Sequence, residues 1–191
     1  TTRFAYRVPL SLCEMLFFSI SPSDASGRLW FNGFIRDEVK MRKLFEAFLK
    51  NFFAKQLKKA DVRATRNELS SISGVTGDKS LIPNLNTDVV IDYFSGPKFI
   101  IDAKYTTQST GHYFGKNLLV SSHLFQIFTY VSNFQLLEPG RPMSGLVIYP
   151  QLENKLDIEF RYSGATYRFA SVDLSADWTS IERQLLALVS Y

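Results

Sequence analysis

The sequence TDVVIDYF (residues 87–94), followed by SGPK (95–98) and FIIDAKY (99–105), is the stretch on which the fold depends. Its two arms are rich in Val, Ile, Phe and Tyr, and the turn between them contains Gly and Pro, so the stretch predicts a β-hairpin. Because side chains alternate between the faces of a strand, Asp102 and Lys104 share one face with Ile100. The hairpin also brings Asp88, at the start of the first arm, near the end of the second. Two acids and one lysine are therefore predicted to converge at one edge of a sheet.

This set of residues suits metal-assisted hydrolysis of a phosphodiester. Burying carboxylates is costly unless they are paired or hold a metal. Two carboxylates can hold Mg²⁺ through oxygen ligands, with Mn²⁺ as a substitute, and the metal acidifies a bound water and neutralises phosphate charge. Asp88, Asp102 and the backbone carbonyl of Ala103 are the predicted ligands. Lys104 would position the attacking water or stabilise the developing charge.

Asp92 competes with Asp88 as the first acid because it has the same strand parity. Asp88 is preferred since it lies at the strand end, after a loop where ligands are accessible, whereas Asp92 is expected to be exposed or at the turn. The resulting pattern, an Asp, thirteen residues and then Asp-x-Lys, resembles the PD-(D/E)xK nuclease signature. Its first element is Asn-Thr-Asp rather than Pro-Asp, with Pro83 five residues upstream of Asp88.

The composition indicates a single globular domain over residues 1–191. The chain is 46% hydrophobic and 15% aromatic, which is sufficient for a sizeable core. Its net charge of +4 permits nucleic-acid binding without requiring it. A single cysteine, Cys13, excludes an internal disulfide, is expected to be a core thiol, and fits a reducing cytosol, so a cytoplasmic location is expected. The apolar run at 8–20 is too short to cross a bilayer and predicts a core helix, so no membrane association is expected.

A long helix is predicted at residues 36–59. Apolar residues recur there at steps of three and four and predict a buried stripe of Leu44, Phe45, Phe48, Leu49, Phe52, Phe53 and Leu57. Glu46 lies at the edge of this stripe, and it is either a solvated carboxylate or a third acid facing the metal. This helix and the residues just after it form the most basic region, with candidate DNA-binding residues Lys50, Lys58, Lys59, Arg63 and Arg66. A solvated face is the default interpretation of such a run, and a surface that tracks phosphates is the second.

The other elements complete a mixed set of helices and strands. Residues 61–80 are predicted to be mainly loop with a short strand at 62–65, and residues 106–115 to be a polar loop. A helix is predicted at 121–137 with Ser121 or Ser122 as N-cap, and a buried strand at 145–149. Strands at 155–162 and 166–172 should form a second hairpin, and Asp177 should cap a final helix. The pattern predicts an α/β fold, with a central mixed β-sheet flanked by helices.

The predicted helix at 121–137 carries one further motif. Gln126 and Tyr130 are four residues apart in an otherwise apolar segment and therefore share a helical face. Following the Asp-x-Lys strand, the pair resembles the QxxxY element of RecB-like nucleases, which implies that it holds the lysine or the scissile strand in place. His112 and His123 lack a metal-ligand spacing and are predicted to be surface or loop side chains.

Four motifs in order, LFEAF (44–48), TDVV (87–90), IIDAKY (100–105) and LFQIFTY (124–130), resemble the nuclease domain of McrC, the cleavage subunit of modification-dependent McrBC restriction systems. The resemblance implies a restriction-endonuclease-like core and a Mg²⁺-dependent DNA endonuclease. It implies that a McrB-type AAA+ GTPase recognises 5-methylcytosine and activates cleavage of double-stranded DNA. It also implies the C-terminal domain of a longer protein, or a divergent relative with another partner. Dimerisation for double-strand cleavage is a related expectation.

Two other function classes remain open at this stage. One is a DNA-binding or assembly module that has kept the fold without the chemistry. The other is a repair or phage-type exonuclease of the same superfamily that acts without a motor. The sequence contains no Gly-rich phosphate loop and no Cys/His cluster typical of zinc sites, so nucleotide hydrolysis is expected to reside in another protein.

Overall fold

The structure, a computed structural model, describes residues 38–67, 69, 72–106, 110–113, 116–151 and 154–191. The predicted helix at 8–20 and Cys13 lie outside the described residues. No helix within the described part of the chain is long and apolar enough to cross a membrane.

Three helices and eight strands make up the described fold. The helices are α1 (Glu38–Gln56), α2 (Ser121–Leu137) and α3 (Trp178–Leu188). The strands, in chain order, are β1 (Ala60–Asn67), β2 (Leu85–Tyr93), β3 (Lys98–Ala103), β4 (Thr110–Tyr113), β5 (Lys116–Leu119), β6 (Met143–Pro150), β7 (Asp157–Tyr162) and β8 (Ala165–Val172). One 3₁₀ turn, Lys79–Leu81, lies between β1 and β2.

Six strands form one mixed sheet in the order β1-β2-β3-β6-β8-β7. The outer pairs are antiparallel, whereas β3, β6 and β8 run parallel to one another. The predicted mixed α/β sheet is therefore confirmed. Strands β4 and β5 form a separate two-stranded hairpin between β3 and α2.

The helices cover both faces of the sheet. On one face, α1 and α3 pack over Val89, Ile91 and Ile101, among others. On the other face, α2 packs over Val90 and Ile100. The alternation predicted for the central hairpin is thus confirmed, because successive residues of β2 and β3 enter different cores.

The helix predicted at 36–59 is confirmed as α1, with its stripe buried or packed against the core, although α1 ends at Gln56 and Leu57 follows it. The predicted bounds of α2 are also confirmed, although its N-cap is Val120, which makes no side-chain capping bond, rather than Ser121 or Ser122. Asp177 caps α3 as predicted, since its carboxylate accepts a hydrogen bond from the Ser180 N–H.

Two predicted loops were wrong in part, because each contains more strand than expected. The region after α1 carries the eight-residue β1, and the predicted loop at 106–115 contains β4. In the edge strand β1, Ala60 and Val62 pack against the core and alternate with the exposed Asp61 and Arg63, but the polar sequence from Thr65 onward does not continue this pattern.

Gly145, the third residue of β6, lies where α2 packs closely against the sheet. A Cβ atom at this position would lie 2.8 Å from Ile127 Cγ1 and 2.9 Å from Val131 Cγ2, both on α2. These separations are shorter than van der Waals contact, so the absence of a side chain at Gly145 allows the helix to lie this close.

The turn of the β2–β3 hairpin is held by a cluster of charges, Asp92, Lys98, Glu138 and Arg141, here called the turn cluster. Lys98 is only 2% exposed, its Nζ lies 3.0 Å from Asp92 Oδ2, and it also pairs with Glu138. Arg141 pairs with both acids and donates to the Tyr93 carbonyl at 2.8 Å. The cluster ties the hairpin to the C-terminal end of α2 through fully paired charges.

Candidate active site

The opposite end of the same hairpin brings Asp88 and Asp102 together. Asp88 Oδ2 accepts a hydrogen bond from the Ala103 N–H at 2.8 Å, which fixes the carboxylate of β2 against the end of β3. Asp102 is 2% exposed and lies on the α2 side of the sheet. Asp88, Asp102 and Lys104 are here called the carboxylate site.

Lys104 is held in place from two directions. Its Nζ lies 2.9 Å from Asp102 Oδ2 and 3.2 Å from Oδ1, and it donates to Gln126 Oε1 at 2.8 Å. Gln126 Nε2 in turn donates to the Tyr130 hydroxyl at 2.7 Å. The structure thus connects the predicted Gln–Tyr pair of α2 directly to the lysine of β3.

The charges in the carboxylate site are incompletely compensated. Burial raises the pKa of Asp88 to about 7, and the neighbouring Asp102 and Glu46 charges act in the same direction. Burial also raises the pKa of Asp102, although Lys104 partly opposes this effect. Two acids that resist ionisation beside a single lysine are the environment in which a bound cation would be favourable.

The donor set fits a divalent oxygen-binding cation such as Mg²⁺ or Mn²⁺. Among the described residues, the Lys104 ammonium is the cationic group that contacts Asp102, with Nζ 2.9 Å from the buried Oδ2 atom and 3.2 Å from Oδ1. The second acid, Asp88, accepts only a backbone hydrogen bond among these residues, and a buried carboxylate is costly unless a further charge completes its surroundings. The described residues offer no group of three or more acidic, His or Cys side chains arranged around a metal, so carbonyls, water or DNA oxygens would fill the other positions.

Glu46 lies near the carboxylate site without joining its two aspartates in a ligand cluster. Burial and the Asp102 charge raise its pKa, although Arg42 and Lys104 oppose the shift. Among the described residues it therefore stands as a neighbouring charge on α1. The Ala103 carbonyl, at the buried end of β3, stays a predicted ligand.

The predicted DNA-binding residues are spread along the first part of the sheet. Arg66 pairs in register with Asn86, two residues before Asp88, and is exposed at the site end. Arg63 is engaged with Asp61 and lies 3.5 Å from Asp92. The other three, Lys50, Lys58 and Lys59, lie on α1 or just beyond it, and the Lys59 carbonyl bonds the Phe94 N–H at the turn end. The structure therefore does not gather these five side chains around the carboxylates.

His123 and Tyr149 form a polar pair beside the site that the sequence did not indicate. His123 Nδ1 lies 2.9 Å from the Tyr149 hydroxyl, and the Lys104 N–H donates to the carbonyl of the adjacent Ile148. The prediction of a surface or loop position for His123 was wrong, since it is half-buried on α2. The signal available in the sequence was its position three residues before Gln126, which puts both on one helical face.

Comparison with known proteins gives three findings. A family model described as McrBC 5-methylcytosine restriction system component matches residues 3–150. The chain is 28% identical over 187 residues to the type IV methyl-directed restriction enzyme EcoKMcrBC of Escherichia coli K12, covering 97% of this chain and 52% of that protein. It is also similar in fold to a chain in the assembly of Thermococcus gammatolerans McrB AAA+ hexamers with bound McrC. That match has a TM-score of 0.52 at 16% identity and covers 78% of this chain and 33% of the other.

These matches differ in the share of each protein that they cover and in what they show about this chain. The chain spans about half the length of the Escherichia coli protein, and the similarity to the Thermococcus assembly, at its low identity, concerns the fold alone. The family model covers well over half of the chain and includes β2, β3, α2 and every residue of the carboxylate site. The chain therefore belongs to the family of McrBC 5-methylcytosine restriction system components.

Proposed function

We propose that this chain is the DNA-cleaving part of a 5-methylcytosine restriction system, a Mg²⁺-dependent endonuclease that hydrolyses phosphodiester bonds of double-stranded DNA. The observation that carries the proposal is the convergence of the Asp88 and Asp102 carboxylates at the end of one hairpin, beside the single ammonium group of Lys104. The family to which the chain belongs, and the printed name of its Escherichia coli relative as a methyl-directed restriction enzyme, support DNA as the substrate.

Each residue of the carboxylate site has a role that follows from its contacts. Asp88 and Asp102 would hold the divalent ion, which, when bound, supplies positive charge to the phosphate oxygens and acidifies water. Lys104, fixed by Asp102 and Gln126, presents an ammonium group to orient the attacking water or to balance charge that develops on the phosphate. Tyr130 holds the Gln126 amide, so that the lysine is pre-organised.

An AAA+ partner of the McrB type is part of the proposal. The Thermococcus assembly that resembles this fold is described as McrB AAA+ hexamers with bound McrC. We propose that such a partner, acting as a GTPase, recognises the modified base and activates cleavage by this chain. The described residues of α1, of β1 and of the turn between them supply candidate contacts to the DNA backbone, namely Lys50, Lys58, Lys59, Arg63 and Arg66.

The test is cleavage of a 5-methylcytosine-containing duplex by the protein together with its McrB-type partner, GTP and Mg²⁺. We expect Asp102→Ala and Lys104→Ala each to abolish cleavage, whereas Asp157→Ala, an exposed carboxylate on β7, should cleave at the wild-type rate. Cleavage that persists in both site variants would overturn the proposal.

Calorimetry with Mn²⁺ provides a second measurement that does not depend on the partner. We expect the wild-type chain to bind Mn²⁺ and Asp102→Ala to lose this binding. DNA binding without any metal uptake would instead indicate a non-catalytic module. Degradation from DNA ends without GTP would indicate a partner-independent exonuclease.

A further inference from the structure

His123 and Tyr149 form a second layer of the carboxylate site, and the proposed chemistry does not use them. His123 lies in the first turn of α2, and Tyr149 lies near the end of β6. The Tyr149 side chain is fully buried, and its hydroxyl lies 2.9 Å from His123 Nδ1 with the rings 5.8 Å apart. A buried tyrosine on a central strand therefore fixes the orientation of the imidazole.

This pair is adjacent to the reacting groups. Strand β6 runs beside β3 with Val147 opposite Asp102, two residues before Tyr149. The charge of Lys104 reaches the imidazole and, together with burial, lowers the pKa of His123 to about 4. Gln126, one helical turn further along α2, binds the Lys104 ammonium. His123 thus belongs to the wall of the site formed by α2.

The protonation states of Tyr149 and His123 leave one N–H of the imidazole available as a hydrogen-bond donor. Burial raises the pKa of the Tyr149 hydroxyl, so this group keeps its proton and can donate it to Nδ1. The proton of a neutral imidazole then resides on Nε2. Within the described residues, Nε2 has no hydrogen-bond partner. A neutral N–H donor in a site of two carboxylates and one lysine suits an anionic oxygen supplied from outside the protein.

We propose that His123 is a DNA-contacting residue, whose Nε2–H donates a hydrogen bond to a phosphate oxygen of the strand held at Asp88 and Asp102. Tyr149 acts as the positioning residue that fixes the tautomer and direction of the ring. This inference rests on the proposed function only in taking DNA as the ligand of the site. It adds a neutral contact to the strand, which orients the scissile phosphate without adding positive charge.

The experiment exploits the different reach of two amides. Gln places its amide near the Nε2 position of histidine, whereas Asn places it near the Nδ1 position. We would measure the affinity of each variant for a fluorescein-labelled duplex containing 5-methylcytosine, by fluorescence anisotropy with Mg²⁺, in an Asp88→Asn background that prevents cleavage. His123→Ala and His123→Asn should bind about tenfold more weakly, the loss expected for one hydrogen bond to a charged group, whereas His123→Gln should retain most of the affinity.

Melting temperatures of the same variants separate contact from packing. Tyr149→Phe keeps the ring and removes the hydroxyl, so it should weaken DNA binding with little change in melting temperature. Rescue by Asn instead of Gln, or unchanged affinity in all variants, would overturn the inference. Cleavage that remains dependent on Asp102 would then leave the proposed function standing. Cleavage that does not depend on Asp102 would contradict the proposed function itself.

Discussion

The β2–β3 hairpin has an aspartate of β2 near each end, Asp88 at one and Asp92 at the other, and both project from the same face of the strand. Their surroundings differ. Asp92 lies within 3.0 Å of both Lys98 and Arg141, and bonds to these cations lower its pKa against the effect of burial. Asp88 has only the Ala103 N–H as a hydrogen-bond donor in the described structure, and its pKa is raised to about 7.

The difference is one of charge balance. In the turn cluster, two acids meet two cations, and every charge has a partner. In the carboxylate site, two acids share one lysine, which pairs with Asp102. The same residue types therefore balance their charges at one end of the hairpin and leave an excess of carboxylate at the other.

The largest expected effect is on cleavage. Asp88→Asn removes a predicted metal ligand at nearly constant shape, and we expect the rate to fall about 1000-fold, equivalent to the several kcal/mol that metal catalysis contributes. Asp92→Asn is the matched control, four residues further along the same face, and should cleave at the wild-type rate once folding is verified by circular dichroism. An equal loss of cleavage rate in the two variants would contradict the different roles assigned to the two ends of the hairpin.

The second effect is on the free energy of unfolding. Here Asp92→Asn should have the larger effect and Asp88→Asn the smaller one. Asp92→Asn leaves Lys98, which is 2% exposed, with one acid fewer, and we expect the free energy of unfolding to fall by about 3 kcal/mol. Asp88→Asn should not lower the stability of the metal-free protein at pH 8, because it replaces a carboxylate that burial disfavours. Urea denaturation of both variants gives the comparison, and a destabilised Asp88→Asn protein would contradict it.

The pH dependence of stability should also differ between the two ends. The pKa of Asp88 is raised in the fold to about 7 from its ordinary 3.8, so its contribution to stability is present below the ordinary value and is lost as the pH rises through 7. We expect the metal-free protein to lose about 2 kcal/mol between about pH 5 and pH 8, and Asp88→Asn to lose less. The pKa of Asp92 is lowered, so its contribution is instead lost as the pH falls below 3.8. Thermal denaturation in EDTA, carried from below pH 3.8 up to about pH 8, tests both signs.

The smallest effect is expected at an exposed ion pair. Arg168 Nε lies 2.8 Å from Asp157 Oδ1, and both side chains are about a third exposed. Water screens such a pair, so Asp157→Asn should reduce the free energy of unfolding by at most about 1 kcal/mol. A reduction in the free energy of unfolding as large as that of Asp92→Asn would show that burial does not explain the contribution of the turn cluster to stability.

Local patterns in the sequence predicted much of this arrangement. The stripe of α1, the alternation in β2 and β3, and the Gln126–Tyr130 spacing each depend on residues close together in the chain, so periodicity was sufficient to find them. The convergence of Asp88 and Asp102 followed from the hairpin alone. The catalytic, metal-binding and DNA-binding roles of these residues stay predictions.

Contacts between distant parts of the chain could not be predicted in this way. Lys98 and Glu138 are 40 residues apart in the sequence, and His123 and Tyr149 are 26 residues apart. Both contacts form because α2 packs on the sheet. The length of strand β1 was underestimated because its hydrophobic alternation is confined to Ala60 and Val62, and the polar residues after them form strand only through pairing with β2. No local signal in any of these segments specifies the tertiary partner.

Gly145 gives the molecule a sensitive point outside the site. Because Gly145 has no side chain, Ile127 of α2 can pack directly against β6. The residue before Ile127 is Gln126, which accepts a hydrogen bond from the Lys104 ammonium. A methyl group added at Gly145 would clash with Ile127 and Val131, and we expect this part of α2 to shift and to move Gln126 away from the Lys104 ammonium. The placement of that ammonium group therefore depends on a glycine of a neighbouring strand.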